Sequence, residues 1–175
     1  MSDPLKHECG IAVVRLKKPL AYFQDRYGSA LWGFNKLFLL MEKQHNRGQD
    51  GVGIGCAKIG MPAGQPYIFR RRDSKKDSLA KLFRSELKSI DKMTRNGVID
   101  PNNPEDLRNN FDFAGDVYVG HLRYGTSGEF DSGSCHPYLR RSNWPTRTLM
   151  VMEKFNMTNS GDLNQRMMDR GQHPV

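Results

Sequence analysis

The stretch "GVGIGCAKI" at 51–59 alternates glycine with apolar residues through Gly51, Gly53 and Gly55. It reads as a strand whose small residues allow another piece of backbone to approach closely. Whatever else the chain forms must supply a hairpin partner for this strand and something that lies across it. "QPYIFRRR" (65–72), after the "GMPAG" turn, is the expected partner. Residues 9–16 are apolar and β-branched and read as a buried strand, "DVYVGHLRYGT" (116–126) as a strand entering a tight turn, and "RTLMVM" (147–152) as another.

Helical spacing appears twice with an apolar face. In 29–45 the residues are Leu31, Phe34, Leu37, Phe38 and Met41, with Ser29 as N-cap and Arg47-Gly48 as the stop. In 77–94 they are Leu79, Leu82, Phe83, Leu87, Ile90 and Met93. The segment 96–112 is rich in turn residues, with a short helix expected after Pro104. Beyond the loop "SGEFDSGSCHPYL", a last helix over 159–170 closes at Gly171. The order of strands and helices predicts mixed α+β packing with sheets covered by helices.

The 175 residues are enough for one ordinary domain with a sizeable core. No apolar run reaches the length of about 18 residues that a spanning helix needs, so no membrane association is expected. The opening "MSDPLKHE" lacks the apolar middle of a secretory signal. Three cysteines, Cys9, Cys56 and Cys135, stand far apart without a CxxC pair. That speaks against a disulfide framework or a thiolate metal site, and for a reducing compartment, the cytoplasm. The net charge of +8 gathers largely in "FRRRDSKKD" (69–77) and "YLRRSNWPTR" (138–147). Neither patch adjoins a nucleic-acid motif, so a solvated basic face or one meeting an acidic partner is expected rather than nucleic-acid binding.

Four stretches carry the chemistry: "ECGIAVV" (8–14), "QHNRGQDGVGI" (44–54), "GHLRYGTSG" (120–128) with "CHPY" (135–138), and "FNMTN" (155–159). In this order and spacing they resemble the glutaminase domain of class II glutamine amidotransferases, and within that group the amidophosphoribosyltransferases of purine synthesis. The resemblance runs from Cys9 to the end of the chain. It implies the N-terminal nucleophile fold, a four-layer αββα sandwich of two sheets between helices. It implies glutamine as substrate, no cofactor and no metal, and a phosphoribosyltransferase domain or subunit as the acceptor half; assembly into a homo-oligomer stays open.

The same resemblance implies a role for each residue. Cys9 is the nucleophile, and its own α-amino group, once free, is the general base that a thiol needs to form a thioester. "MSDPLKHE" then looks like a short propeptide to be removed, leaving a glutaminase-like domain over 9–175. Arg123 binds the α-carboxylate of glutamine, because a guanidinium fork matches a carboxylate with two parallel hydrogen bonds. Tyr124, Gly125 and Thr126 shape the pocket wall, and the backbone around His136 contacts substrate. His121 shares the strand face of Arg123 and is expected to be structural. Arg47, Gly48 and Asp50 support the nucleophile's turn, the arginine through bonds to carbonyls and Gly48 by letting backbone lie near Cys9. Cys56 is expected in packing, and Cys135 stands in a loop where the family has a small residue.

Two departures bear on the chemistry. The family's oxyanion donors are an asparagine side chain and the following glycine amide; aligned on "N-x-T-N", Lys154 and Phe155 stand in those places. A lysine beside Cys9 would lower both the thiol pKa and the basicity of the amine. The aspartate that binds the substrate's α-amino group in the family lies beyond the last helix, and Asp162, inside that helix, does not replace it. A second reading therefore stands beside the first: a glutaminase-like domain that binds glutamine or a partner and turns over poorly. A third, a nucleophile hydrolase acting on another amide, is disfavoured by Arg123.

Overall fold

The computed structural model describes residues 8–75, 77–125, 132–154 and 157–172. Its centre is a four-stranded antiparallel sheet built from β1 (Gly10–Arg15), β2 (Gly51–Ala57), β3 (Ile68–Asp73) and β4 (Val117–Arg123), in the order β1-β4-β2-β3. A second, two-stranded antiparallel sheet pairs β5 (Tyr138–Arg140) with β6 (Leu149–Val151). The helices are α1 (Leu20–Tyr27), α2 (Trp32–Glu42), α3 (Ser78–Arg95), α4 (Pro104–Asn110) and α5 (Ser160–Asp169). The chain is thus mixed α+β. Among the described residues no helix is long and apolar enough to cross a membrane.

Residues opposite one another in the ladders share a face of the sheet, and here the two faces differ in kind. One face carries the rows Ala12, Gly120, Ile54 and Arg71, and Gly10, Leu122, Val52 and Asp73. Its apolar members pack with Phe34, Leu37 and Met41 of α2 and Leu79, Leu82, Phe83 and Ile90 of α3 in a single buried cluster. The 3.6-residue spacing of those side chains places them in one stripe on each helix. Arg71 reaches the rim of this layer, where its Nε donates to Glu86 Oε1 at 3.1 Å and its Nη2 to Asp112 Oδ2 at 2.9 Å.

The other face carries Ile11, His121, Gly53 and Arg72 in one row and Val13, Val119, Gly55 and Arg70 in the next. The second sheet and the loop before it lie across this face. A side chain at Gly53 would collide with the carbonyl of His136, and one at Gly55 with the thioether of Met150. The alternating glycines are therefore the seat of the His136–Pro137 backbone and of β6. Val13, on the outer strand, is left 58% exposed.

Several boundaries differ from the sequence expectation. Helix α1 was not anticipated; it starts after Pro19, ends at Gly28 with φ of 72°, and its Phe23 and Tyr27 stack on Trp32 with centroids 5.0 and 5.3 Å apart. This extra helix displaces the start of α2 from residue 29 to Trp32. Ser29 instead closes the bend between the two helices, its Oγ accepting from Leu31 N at 3.2 Å. The expected helix also stops earlier, at Glu42, and 43–47 continue as turns. The short helix after Pro104 forms, with the Asn103 side chain accepting from the amides of Glu105 and Asp106. Strand β5 lies inside what reads as loop, because three residues after a proline give no periodicity.

Candidate functional site

Because β1 and β4 run antiparallel, the start of one meets the end of the other. Gly10 stands opposite Leu122, and one further step of the register sets Cys9 across from Arg123. Half-buried Cys9 points its sulfur at the next peptide: Tyr124 N lies 3.4 Å from Cys9 Sγ, and Tyr124 O lies 3.8 Å from it. Arg123 is 5% exposed and Tyr124 36%. This is where a cysteine at the mouth of an apolar strand finds its neighbours.

The segment after α2 braces that corner. Asp50 N donates to Arg123 O at 3.0 Å, and Asp50 Oδ2 accepts from Gly125 N at 2.8 Å. Gly48 packs against the backbone of Leu122 and Arg123; a β-carbon there would stand 2.6 Å from the Leu122 carbonyl oxygen. So Gly48 and Asp50 hold the end of β4 rather than Cys9 itself. Arg47 departs from its expected role in detail. Its backbone carbonyl accepts from Glu8 N at 3.0 Å, and its Nη2 donates to the Glu8 carboxylate at 2.8 Å, not to carbonyls. Thr126 and Phe155 lie outside the described residues.

Behind Arg123, on the same face, is a buried pair of imidazoles. The rings of His121 and His136 are 4.5 Å apart, and His136 meets Tyr138 edge-on at 4.4 Å. His121 is fully buried, and its Nε2 lies 2.9 Å from the carbonyl of Glu153. Burial lowers its pKa to about 4, so the ring is neutral at pH 7 and Nε2 carries the proton donated to that carbonyl. Its Nδ1 has no hydrogen-bond partner among the described residues. His136 Nε2 stands 3.5 Å from Glu153 Oε1, beyond good hydrogen-bond length but close enough for attraction. Burial pushes the His136 pKa down, and the Glu153 carboxylate opposes that shift. His136 thus stands behind Arg123 through its backbone and its ring beside His121.

Two arginines of the basic stretch, Arg70 and Arg72, are half-buried on this face. Arg72 Nη1 donates to the carbonyls of Gly133 at 2.7 Å and Cys135 at 2.9 Å, and Arg70 Nη1 to that of Pro137 at 3.5 Å. Strand alternation sends Arg70 and Arg72 to this face and Arg71 to the helix layer. Cys135, fully buried beside Gly51, and Cys56, in the core, both serve packing, and burial pushes the Cys56 thiol up.

The last part of the site is Glu8. Lys154 Nζ and Arg47 Nη2 both meet the same carboxylate oxygen of Glu8. Lys154, and after it Arg47, hold the Glu8 carboxyl below the usual range. Lys154 therefore faces the residue before Cys9. Comparison with protein-family models, with characterised proteins and with solved structures gives no match.

Glu8, Glu153, Arg70 and Arg72 are members of this corner that sequence reasoning did not single out. For the two arginines the signal was present: period-two alternation beside a glycine-faced strand places them on the glycine side. For Glu8 and Glu153 there was none, since their partners are 39 residues away for Glu8–Arg47 and 32 for His121–Glu153. Among the described residues, no three His, Cys, Asp or Glu are grouped to hold a metal ion.

Proposed function

We propose that the chain is a glutaminase domain of the class II amidotransferase type, with Cys9 as nucleophile. The observation that carries this reading is the meeting of the Cys9 sulfur with the Tyr124 amide, 3.4 Å away, in the residue that follows buried Arg123. A thiol, an amide N–H and a buried arginine come together at one corner of the sheet, which supports this reading. In the proposed reaction the Cys9 sulfur attacks the side-chain carboxamide carbon of glutamine. The C–N bond breaks, ammonia leaves with the proton taken from the thiol, and water then hydrolyses the thioester to glutamate. Arg123 holds the α-carboxylate, with Tyr124 and Gly125 as the wall beside it.

The proton acceptor in this scheme is the α-amino group of Cys9, which is an amide nitrogen as long as Glu8 is attached. The reading thus requires removal of residues 1–8. The four-layer sandwich belongs to the same proposal, and what supports it is that α2 and α3 cover one face of the four-stranded sheet while the β5–β6 sheet lies across the other. A phosphoribosyltransferase domain or subunit receiving the ammonia, in purine synthesis in the cytoplasm, is part of it too.

One observation favours the second reading, a glutaminase-like domain that binds and turns over poorly. Lys154, in the place of the oxyanion asparagine, is engaged with Glu8 and not directed to Cys9. The deciding experiment measures the mass and N-terminal residue of the purified protein, then ammonia release from glutamine by chain starting at Cys9. Release that disappears in Cys9→Ala supports the first reading. A chain that starts at Cys9 and releases no ammonia supports the second.

A further inference from the structure

We infer that Arg47 and Lys154 form a carboxylate-binding site at the mouth of β1, which the chain's own Glu8 fills and which takes a free carboxylate when Glu8 is gone. The two cations come from separate parts of the fold, one from the turn after α2 and one from the segment after β6, yet they converge on one oxygen of Glu8. Two like charges brought together repel unless an anion lies between them. Among the described residues, Glu8 is the only carboxylate that either meets.

Besides the bond from Glu8 N to the Arg47 carbonyl, which a side-chain change at residue 8 leaves in place, each support has holds that do not involve Glu8. Arg47 N is bonded to Gln44 O at 2.9 Å, and Gly48 beside it is packed on the Leu122–Arg123 backbone. Lys154 follows Glu153, whose carbonyl is held by the buried His121. Removing Glu8 therefore leaves a guanidinium fork and an ammonium facing a common point. That pairing suits a carboxylate: the fork supplies direction and the lysine a point charge. Both side chains are 44% exposed, so a solute reaches them from solvent. Glu8 is a tethered occupant with the high effective concentration that tethering confers, and a free carboxylate competes poorly while it is present.

This site does not rest on the glutaminase reading, and the two are separable by experiment. The full chain and its Glu8→Gln variant are titrated with glutarate by calorimetry at low ionic strength, where exposed charges are least screened. Two exposed ion pairs are displaced, so the Glu8→Gln chain should bind glutarate about tenfold more tightly than the parent. Adding Lys154→Gln to Glu8→Gln should return the affinity to the parent level, and adding Arg47→Gln should do the same. Equal affinity of parent and Glu8→Gln overturns the site, as does a gain that survives Lys154→Gln. Lys154 is exposed enough for that variant to fold even if Arg47→Gln does not. Labelling of Cys9 by a glutamine-like diazoketone in the chain beginning at Cys9 reads the glutaminase proposal alone.

Discussion

The two faces of the central sheet are made by the same four strands and use them in opposite ways. The helix-covered face is filled by side chains: Ala12, Val52, Ile54, Tyr118 and Leu122 against Phe34, Leu37, Met41 and Phe83. The other face is emptied by Gly51, Gly53 and Gly55 and then refilled by backbone, imidazoles and arginines. Close packing of apolar groups supplies the stability on the first. On the second, polar groups are held in fixed places at the cost of burial, which only their hydrogen bonds offset. Cys9 opens onto that second face.

If this division holds, perturbing the second face should remove chemistry and perturbing the first should remove stability. The largest effect is expected from Cys9→Ala in a chain that begins at residue 9. Glutamine hydrolysis should vanish while the melting temperature stays within a few degrees; residual hydrolysis would assign the nucleophile elsewhere. Next is Phe34→Ala on the fully buried helix side. It should cost about 3–5 kcal/mol in denaturant unfolding and leave diazoketone labelling of the surviving folded protein unchanged.

His121 tests the cost of the polar face. Its folded pKa of about 4 lies below the unfolded value of 6.5. The unfolded chain then takes up a proton that the folded chain refuses, so stability falls as pH drops from 6.5 and levels off below 4. The contribution is about 3 kcal/mol over that window. His121→Gln should flatten that part of the pH–stability curve, and an unchanged slope would place the titration on other groups. The smallest of these effects is Arg123→Lys, where a point charge replaces a fork. The Michaelis constant for glutamine should rise about tenfold, the equivalent of one good charged hydrogen bond. An unaltered constant would take Arg123 out of carboxylate binding.

The helix face was readable from the sequence because its signals are local. Leu79, Leu82, Phe83 and Ile90 announce their stripe by spacing alone, and the Gly51–Ala57 strand announces its smooth side by alternation. The contents of the other face were readable only where a motif marked them, as with Cys9, Arg123 and Asp50. Helix α1 was missed although Pro19 and Gly28 bracket Leu20, Phe23 and Tyr27 at helical spacing, a pattern of eight residues that is easily passed over. The Glu8 clamp and the Glu153 anchor join segments far apart in the chain, and no local pattern encodes such a meeting. Lys154 shows the limit of alignment by motif: the alignment assigns it to the oxyanion site, and its partner is Glu8.

The pairing of Gly10 with Leu122 has a consequence for how such a chain could fail. Side chains alternate along a strand, so a slip of β1 by a single residue against β4 would turn the Cys9 thiol toward the helices and away from Tyr124. The corner where Cys9 meets Tyr124 does not exist in either strand alone, and it is assembled by the last rung of their ladder. The surroundings of Cys9 are in this sense a proofreading mark: a chain with the wrong registration would keep its cysteine and lose the neighbours that now surround it.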